Sequence, residues 1–339
     1  MTNHFSSFGI GFGQPLRSAE LAALGVLAEK LGFKTFWIQE GYRASAIAQC
    51  ACVLLETRKL DVGTGITSPF RRRPDALALD ALTLDEISEG RFILGLGAAT
   101  GYLEATELAS LKPFSAMNEA IDIIRGLLTE SNFTYDGSVF KVKKPMSLGS
   151  KPKRVHRAIY VGAMGDRMVK LTGQKADGLV ISRRAGFSVE YVKHAVELLR
   201  QGANRGNRRP EELDVHAFFE MAVSKKSEEA RAFIKRILGT YTIPLAPDPI
   251  LKTAGVTDEE IQAVKSYFLK GDMAKAAENV SDELVQKVAV AGTPDECVER
   301  LSEYLETGLK SPICYIHGPD SKEAAKLIAT KVMPNLTGK

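Results

Sequence analysis

Cysteine and histidine are sparse in this chain of 339 residues, which has four of the former and five of the latter. Cys50, Cys52, Cys297 and Cys314 form no CxxC pair, and the histidines are scattered. Neither a disulfide framework nor a metal-ligand set is readable, so no metal is expected. Thiols used this thinly suit a reducing compartment, where they are expected to be free and mostly buried. No uninterrupted apolar run approaches the roughly 20 residues that cross a bilayer, and no charged-then-apolar leader opens the sequence. The expectation is a cytoplasmic protein with no membrane partner. Neither sign of charge dominates, since 45 Lys and Arg stand against 41 Asp and Glu for a formal net charge of +4. No basic stripe with interleaved aromatics is present, which argues against a nucleic-acid partner. With 45% apolar and 25% charged residues, the chain has the composition of an ordinary globular protein able to bury a full core.

What is present begins with the stretch VGTGITSPFRRRP, Val62 to Pro74. It reads as a short buried strand that breaks at Gly63 and Gly65, turns through Thr67, Ser68 and Pro69, and runs into Arg71, Arg72 and Arg73. Alternate glycines in a strand mark a bulge, a close ligand approach or relief of crowding between strands, and the stretch alone leaves these open. Around it, short apolar strands alternate with helical patterns. The strands are Phe8 to Phe12, Thr35 to Ile38, Leu60 and Val62, Arg91 to Gly97, Ala158 to Val161, Leu179 to Ile181, Asp214 to Val223, and Pro312 to Ile316. Pro74 opens one helix at a position where its missing N–H costs nothing, and Gly32 closes another.

Two interruptions break the rhythm. A β-hairpin is expected over Phe133 to Val142, with Asp136-Gly137 at its turn, in the region after strand 4. From Glu228 to about Val288, after strand 7, only helical patterns occur. Eight strands, each followed by a helix, is the count for a single closed (β/α)₈ barrel, the TIM barrel, spanning 1–339. An open doubly wound sheet is the rival, because GLGAATG, Gly95 to Gly101, superficially resembles a dinucleotide fingerprint. Its spacing is G-x-G-x-x-x-G, and it lies on a fourth strand rather than a first.

A barrel places its site at the C-terminal ends of the strands. That rule selects Gly11, Glu40 and Tyr42, Gly65 to Ser68, Ala98 to Thr100, Gly162 to Gly165, Ser182 to Arg184, Glu220 and His317. Glu40 is the acid/base candidate, a carboxylate on a strand tip beside Trp37 and Tyr42, where desolvation would raise its pKa. His317 precedes Gly318-Pro319 and reads equally as a packed turn histidine.

Strand 3 with its SPFRRRP exit, LDEISEGRFILGLGAATGYLEA, VGAMGDRMVKLTGQKADGLVIS and GTPDECVERL together resemble the bacterial luciferase-like superfamily. Within it they are similar to the coenzyme F420-dependent reductases of the methylenetetrahydromethanopterin reductase type. The resemblance extends through LKTAGVTDEEIQAVKSYFLKGDMAKAAENVSDEL. It implies a barrel with insertions, a cis Gly65-Ile66 peptide, and F420, or alternatively FMN, across the mouth. Gly65, Ile66, Thr67, Ala98, Thr100, Gly162 and Ala163 would then lie at the ring, Ser182, Arg183 and Arg184 at the phosphate, and Arg71 to Arg73 nearer an acidic tail. Glu40 takes the place of an acid near the reacting ring. Three positions depart from the pattern: Gly11 stands for a glutamate, Thr100 for an aspartate, and Gly41 for the histidine of related dehydrogenases.

The resemblance thus implies hydride transfer between the deazaflavin and a small organic substrate, such as a methylene-tetrahydropterin or a C1-carrier of similar shape. An FMN monooxygenase and a non-enzymatic flavin-binding paralogue are the alternatives. A homodimer or higher homo-oligomer is expected, with the helical stretch 243–288 as a lid or interface.

Overall fold

The structure, a computed structural model, describes residues 4–12, 16–41, 44–99, 112–153 and 159–338. Its strands in chain order are β1 (Gly9–Phe12), β2 (Thr35–Ile38), β3 (Asp61–Thr64), β4 (Phe92–Leu96), β5 (Phe133–Asp136), β6 (Lys141–Met146), β7 (Ile159–Ala163), β8 (Gly178–Ile181), β9 (Asp214–Val223), β10 (Val290–Gly292) and β11 (Ser311–Ile316). Eight of them form a parallel ring in the order β1-β2-β3-β4-β7-β8-β9-β11, closed by the β11–β1 pairing. This is the (β/α)₈ barrel that the strand count predicts. Barrel strands are covered on both faces, so they read as continuous apolar runs rather than alternating ones; β1, β2, β3, β4 and β8 are buried at every position.

Two features differ from the sequence reading. β10 is an extra strand outside the ring, pairing Val290 to Gly292 with Met221 to Val223 at the far end of β9. Its three residues carry too little pattern to register alone, and they pair only because β9 extends well past its neighbour β8. The hairpin β5–β6 is antiparallel as expected, but its turn covers Gly137 to Phe140 and is gripped from outside. The buried Glu119 carboxylate accepts bonds from the backbone N–H groups of Ser138, Val139 and Phe140 and from the Ser138 hydroxyl. Burial would raise this carboxyl, but those four donors hold it below its ordinary range.

Local chemistry sets the helix limits. Pro74 and Pro113 stand at the first positions of their helices, and Ser188 accepts from Tyr191 N to start the helix Val189–Arg205. Gly32 follows its helix with φ +86°, a left-handed conformation that favours glycine. The stretch after β9 is helical throughout, with α-helices Asp248–Thr253, Asp258–Leu269, Met273–Glu278 and Asp282–Val288 after a π-helical entry, Leu238–Thr242. Among the described residues no helix is long and apolar enough to cross a membrane, and no cluster of metal-ligand type occurs. The cysteines are free, with Cys50, Cys297 and Cys314 buried and Cys52 half-buried.

The barrel interior holds its own apolar cluster of Trp37, Ile93, Tyr160, Val180, Phe218, Ile313 and Tyr315. Glycines make room for it: a Cβ on Gly63 would lie 2.8 Å from the Trp37 ring, and one on Gly11 would lie 2.9 Å from the Tyr315 ring. Relief of crowding is therefore the role of Gly63. The lower end is tied by Tyr160 Oη donating to Asp214 at 2.5 Å.

Candidate active site

The wall that carries β3 is shaped by backbone. The Gly65–Ile66 peptide bond is cis. Gly65 N donates to Ile38 O at 2.7 Å, and on the far side of the break Thr67 N donates to Gly95 O at 2.8 Å and Gly97 N to Thr67 O at 2.9 Å. The β3–β4 ladder thus stops at the bulge and resumes at Thr67. Ile66 leans over the tips of β4 and β7, where a Cβ on Gly97 would lie 2.6 Å from its Cδ1 and a Cβ on Gly162 would lie 2.7 Å from its Cγ2. The glycines on the two neighbouring strands are the space into which the bulge fits. Ala98 is half-buried beside it and Ala163 is buried. Thr100 and Tyr42 lie outside the described residues.

Glu40 sits at the end of β2, partly buried. Thr67 Oγ1 donates to its Oε2 at 2.6 Å, and Ala46 N, in the first turn of the helix Ala46–Glu56, donates to its Oε1 at 3.3 Å. Fully buried Thr67 is therefore engaged with Glu40, and its part at the mouth is to fix that carboxylate. Gly41 is exposed with open space around its Cβ position. The arginine triplet fans over the same rim: Arg71 donates to Gly41 O, Arg72 to Ser45 Oγ and Asp80, and exposed Arg73 to Asp75.

The opposite wall is filled with side chains. Glu220 on β9 is fully buried and accepts from Arg183 Nη1 at 3.0 Å, from Thr242 Oγ1 at 3.0 Å, and pairs with His317 Nε2 at 2.5 Å. Burial alone would raise the Glu220 carboxyl, but Arg183, His317 and Thr242 outweigh it and hold it low. Burial opposes the Arg183 charge, yet the Glu220 carboxylate, with the phenolic groups of Tyr315 and Tyr241 adding to it, carries its pKa above the ordinary value. The guanidinium is sandwiched between those rings, 4.1 Å from the Tyr315 centroid and 4.3 Å from that of Tyr241. Its second nitrogen donates to Gln39 Oε1 at 3.3 Å, which also accepts from Tyr315 Oη at 2.8 Å. β2 and β8 are four steps apart in the ring of eight, the largest separation it allows. The Arg183–Gln39 bond therefore crosses the mouth and forms a polar layer above the aromatic interior.

The residues expected from sequence thus fall into three groups. Gly65, Ile66, Gly162, Ala163 and Ala98 share one wall. Glu40 and Thr67 are bonded to each other beside it. Arg183 points across the barrel into an internal ion pair, whereas Ser182 and Arg184 are half-buried at the tip of β8. Arg184 Nε is buried without a hydrogen-bond partner among the described residues, and its Nη1 donates to Leu245 O in the helical excursion at 3.4 Å. Ser182 Oγ accepts from the Arg184 backbone N–H at 3.3 Å, and its own O–H, with the unpaired guanidinium N–H beside it, suits an anionic group. Gln39, Tyr315, Tyr241 and Thr242 are members of the site that sequence reasoning missed. Tyr315 had a usable signal, standing two residues before His317 on the last strand. It also occupies the space that a side chain at Gly11 would need.

Residues 4–311 match the family profile described as luciferase-like monooxygenase. The 5,10-methylenetetrahydromethanopterin reductase of Archaeoglobus fulgidus is 32% identical over 340 aligned positions, covering 97% of this chain and 99% of that protein. The F420-dependent glucose-6-phosphate dehydrogenase of Nakamurella multipartita is 27% identical over 94% of this chain and 92% of its own length. Among solved structures, the coenzyme F420-dependent tetrahydromethanopterin reductase of Methanopyrus kandleri superposes with a TM-score of 0.89 at 25% identity, covering 98% of this chain and all of that one.

Proposed function

Since the chain belongs to the luciferase-like family, we propose that it is a coenzyme F420-dependent oxidoreductase whose substrate is a methylene-tetrahydropterin or a C1-carrier of similar shape. The observation that supports this reading most is the extent of the likeness: it runs the length of the chain, through the helical excursion after β9, to reductases of that substrate. The glucose-6-phosphate dehydrogenase relative uses the same cofactor with a different substrate, so cofactor and substrate rest on separate support.

When bound, F420 supplies a hydride carrier at C5 of its deazaflavin ring, and the protein contributes position and electrostatics. The Gly65–Ile66 bulge, with Gly97, Gly162 and Ala163 beside it, offers a side-chain-poor wall for the back of a flat ring. Ser182 and Arg184 would hold the cofactor phosphate through charge-assisted bonds. Arg71 and Arg73 add positive potential at the rim where an acidic tail would run. Glu40 exchanges or stabilises a proton at the substrate, its carboxylate held in place by Thr67 and Ala46 N. The excursion over 243–288 walls the substrate side, its entry being tied to the mouth through Thr242 and Leu245.

Titration of the purified protein with F420 and with FMN, followed by turnover with methylenetetrahydromethanopterin, tests the reading. F420 binding with hydride transfer is expected. Glu40→Gln should then lower turnover at least tenfold and leave F420 affinity nearly unchanged. Binding of FMN and refusal of F420 would replace this assignment with a flavin monooxygenase.

A further inference from the structure

Arginine has five N–H donors and no acceptor, so the Gln39 atom facing Arg183 has to be the amide oxygen. The Tyr315 hydroxyl, able to donate or accept, is compatible with that assignment and donates to the oxygen once Arg183 has fixed it. Burial pushes its pKa up to about 12, which keeps it protonated, and it bonds that same atom at 2.8 Å. Both acceptor sites of Oε1 are therefore taken from within the protein. The other half of the amide, the NH₂, has no hydrogen-bond partner among the described residues, and Gln39 is exposed at the mouth beside Glu40. An amide normally free to flip is here locked in one orientation.

We infer that Gln39 is a ligand-recognition residue whose NH₂ donates to a ring carbonyl or ring nitrogen of the heterocycle bound at the mouth, and that Arg183 is the positioning residue that sets it. Glu220 serves as the anchor of Arg183, held in turn by His317 and Thr242. The inference rests on the proposed function only for the identity of the heterocycle. FMN and F420 present the same pyrimidinedione edge, so either would meet the same donor.

Three variants of the full chain separate the donor from the acceptor. Gln39→Glu keeps the acceptor for Arg183 and Tyr315 and removes the donor. Gln39→Met removes both. Arg183→Lys keeps the charge beside Glu220 and gives up the fork that reaches Gln39. Each is titrated with F420 and FMN, the bound chromophore's absorption maximum is recorded, and the melting temperature is checked. Loss of one hydrogen bond predicts roughly three- to tenfold weaker binding in both Gln39 variants. The bound absorption maximum is expected to shift in all three, with melting within a few degrees of the parent. A Gln39→Glu protein that binds with parental affinity and spectrum overturns the inference, because only the acceptor would then matter. An Arg183→Lys protein that loses stability but keeps the parental bound spectrum reduces Arg183 to a structural role and overturns the positioning claim. If the parent binds FMN and not F420, the cofactor assignment fails and the Gln39 series is decided on FMN; a parent that binds neither overturns both.

Discussion

The two walls of the barrel mouth are built from opposite materials. Around β3, β4 and β7 the surface is backbone and small residues: a cis peptide, Gly97, Gly162 and Ala98, with one side chain, Ile66, wedged between them. Around β8, β9 and β11 it is a packed ionic cluster of Arg183, Glu220 and His317 roofed by Tyr241 and Thr242. A wall of backbone offers close approach and shape, and it depends on the absence of side chains. A wall of paired charges offers fixed orientation, and it depends on every partner being present. The two should therefore fail differently when altered.

The largest effect is expected on the ionic side. Glu220→Ala leaves the Arg183 guanidinium buried without its counter-charge and should lower stability by about 3–5 kcal/mol, measured by urea unfolding. Pairing it with Arg183→Met should recover a large part of that loss. If the double variant is no better than the single one, the cluster is not an interdependent unit.

Acid titration separates the cluster from the interior beneath it. His216 is buried against Trp37 and Tyr160, and burial lowers its pKa from 6.5 to about 4. Above pH 6.5 it is neutral whether the chain is folded or not. Between 6.5 and about 4 the unfolded chain takes up a proton that the folded chain refuses, so stability falls as the pH falls. The full difference corresponds to about 3 kcal/mol. His216→Leu should flatten this slope. Glu220, whose pKa is lowered from 4.5, contributes stability that is present above 4.5 and lost only as the pH drops through its lower folded value. Its window lies below that of His216, and an unchanged slope in His216→Leu would assign the loss elsewhere.

On the backbone side a smaller cost is expected. Gly162→Ala places a Cβ 2.7 Å from Ile66 Cγ2 and should cost about 1–3 kcal/mol of overpacking. Combining it with Ile66→Val should return part of the stability, a coupling that a double-mutant cycle reads directly. Additive effects would show that Ile66 and Gly162 do not share that space. The smallest effect belongs to the rim, where the exposed Arg73–Asp75 pair predicts a change within about 0.5 kcal/mol for Arg73→Ala in a melting curve.

The contrast between the walls also explains what was legible in the sequence. Glycine spacing is a local signal, so Gly63 and Gly65 mark a break in β3 without saying what it serves, Gly162 is reached by the strand-tip rule and the family resemblance, Gly97 reads only as a strand end, and the strand count predicts the barrel. The ionic wall is joined by partners far apart in the chain: Arg183 and Glu220 are 37 positions apart, and Arg183 and Gln39 are 144 apart. Nothing near Arg183 announces Glu220, and an arginine after a strand tip reads most simply as reaching outward. β10 was invisible for a related reason, since its three residues are ordered by the overhang of β9 and by little of their own.

The Arg183–Gln39 span also divides the barrel into two storeys that can change on separate schedules. Below it, Trp37, Tyr160, His216 and Phe218 interlock with one another. Above it, exposed tip residues such as Gly41, with open space around its Cβ position, can vary without touching that stack, whereas Gly11 and Gly65 cannot, because a Cβ there would lie 2.9 Å from the Tyr315 and Phe218 rings. A lineage holding this floor constant could exchange one substrate for another by altering the upper storey alone, and a laboratory library restricted to the tips above Gln39 would explore binding while the core stays intact.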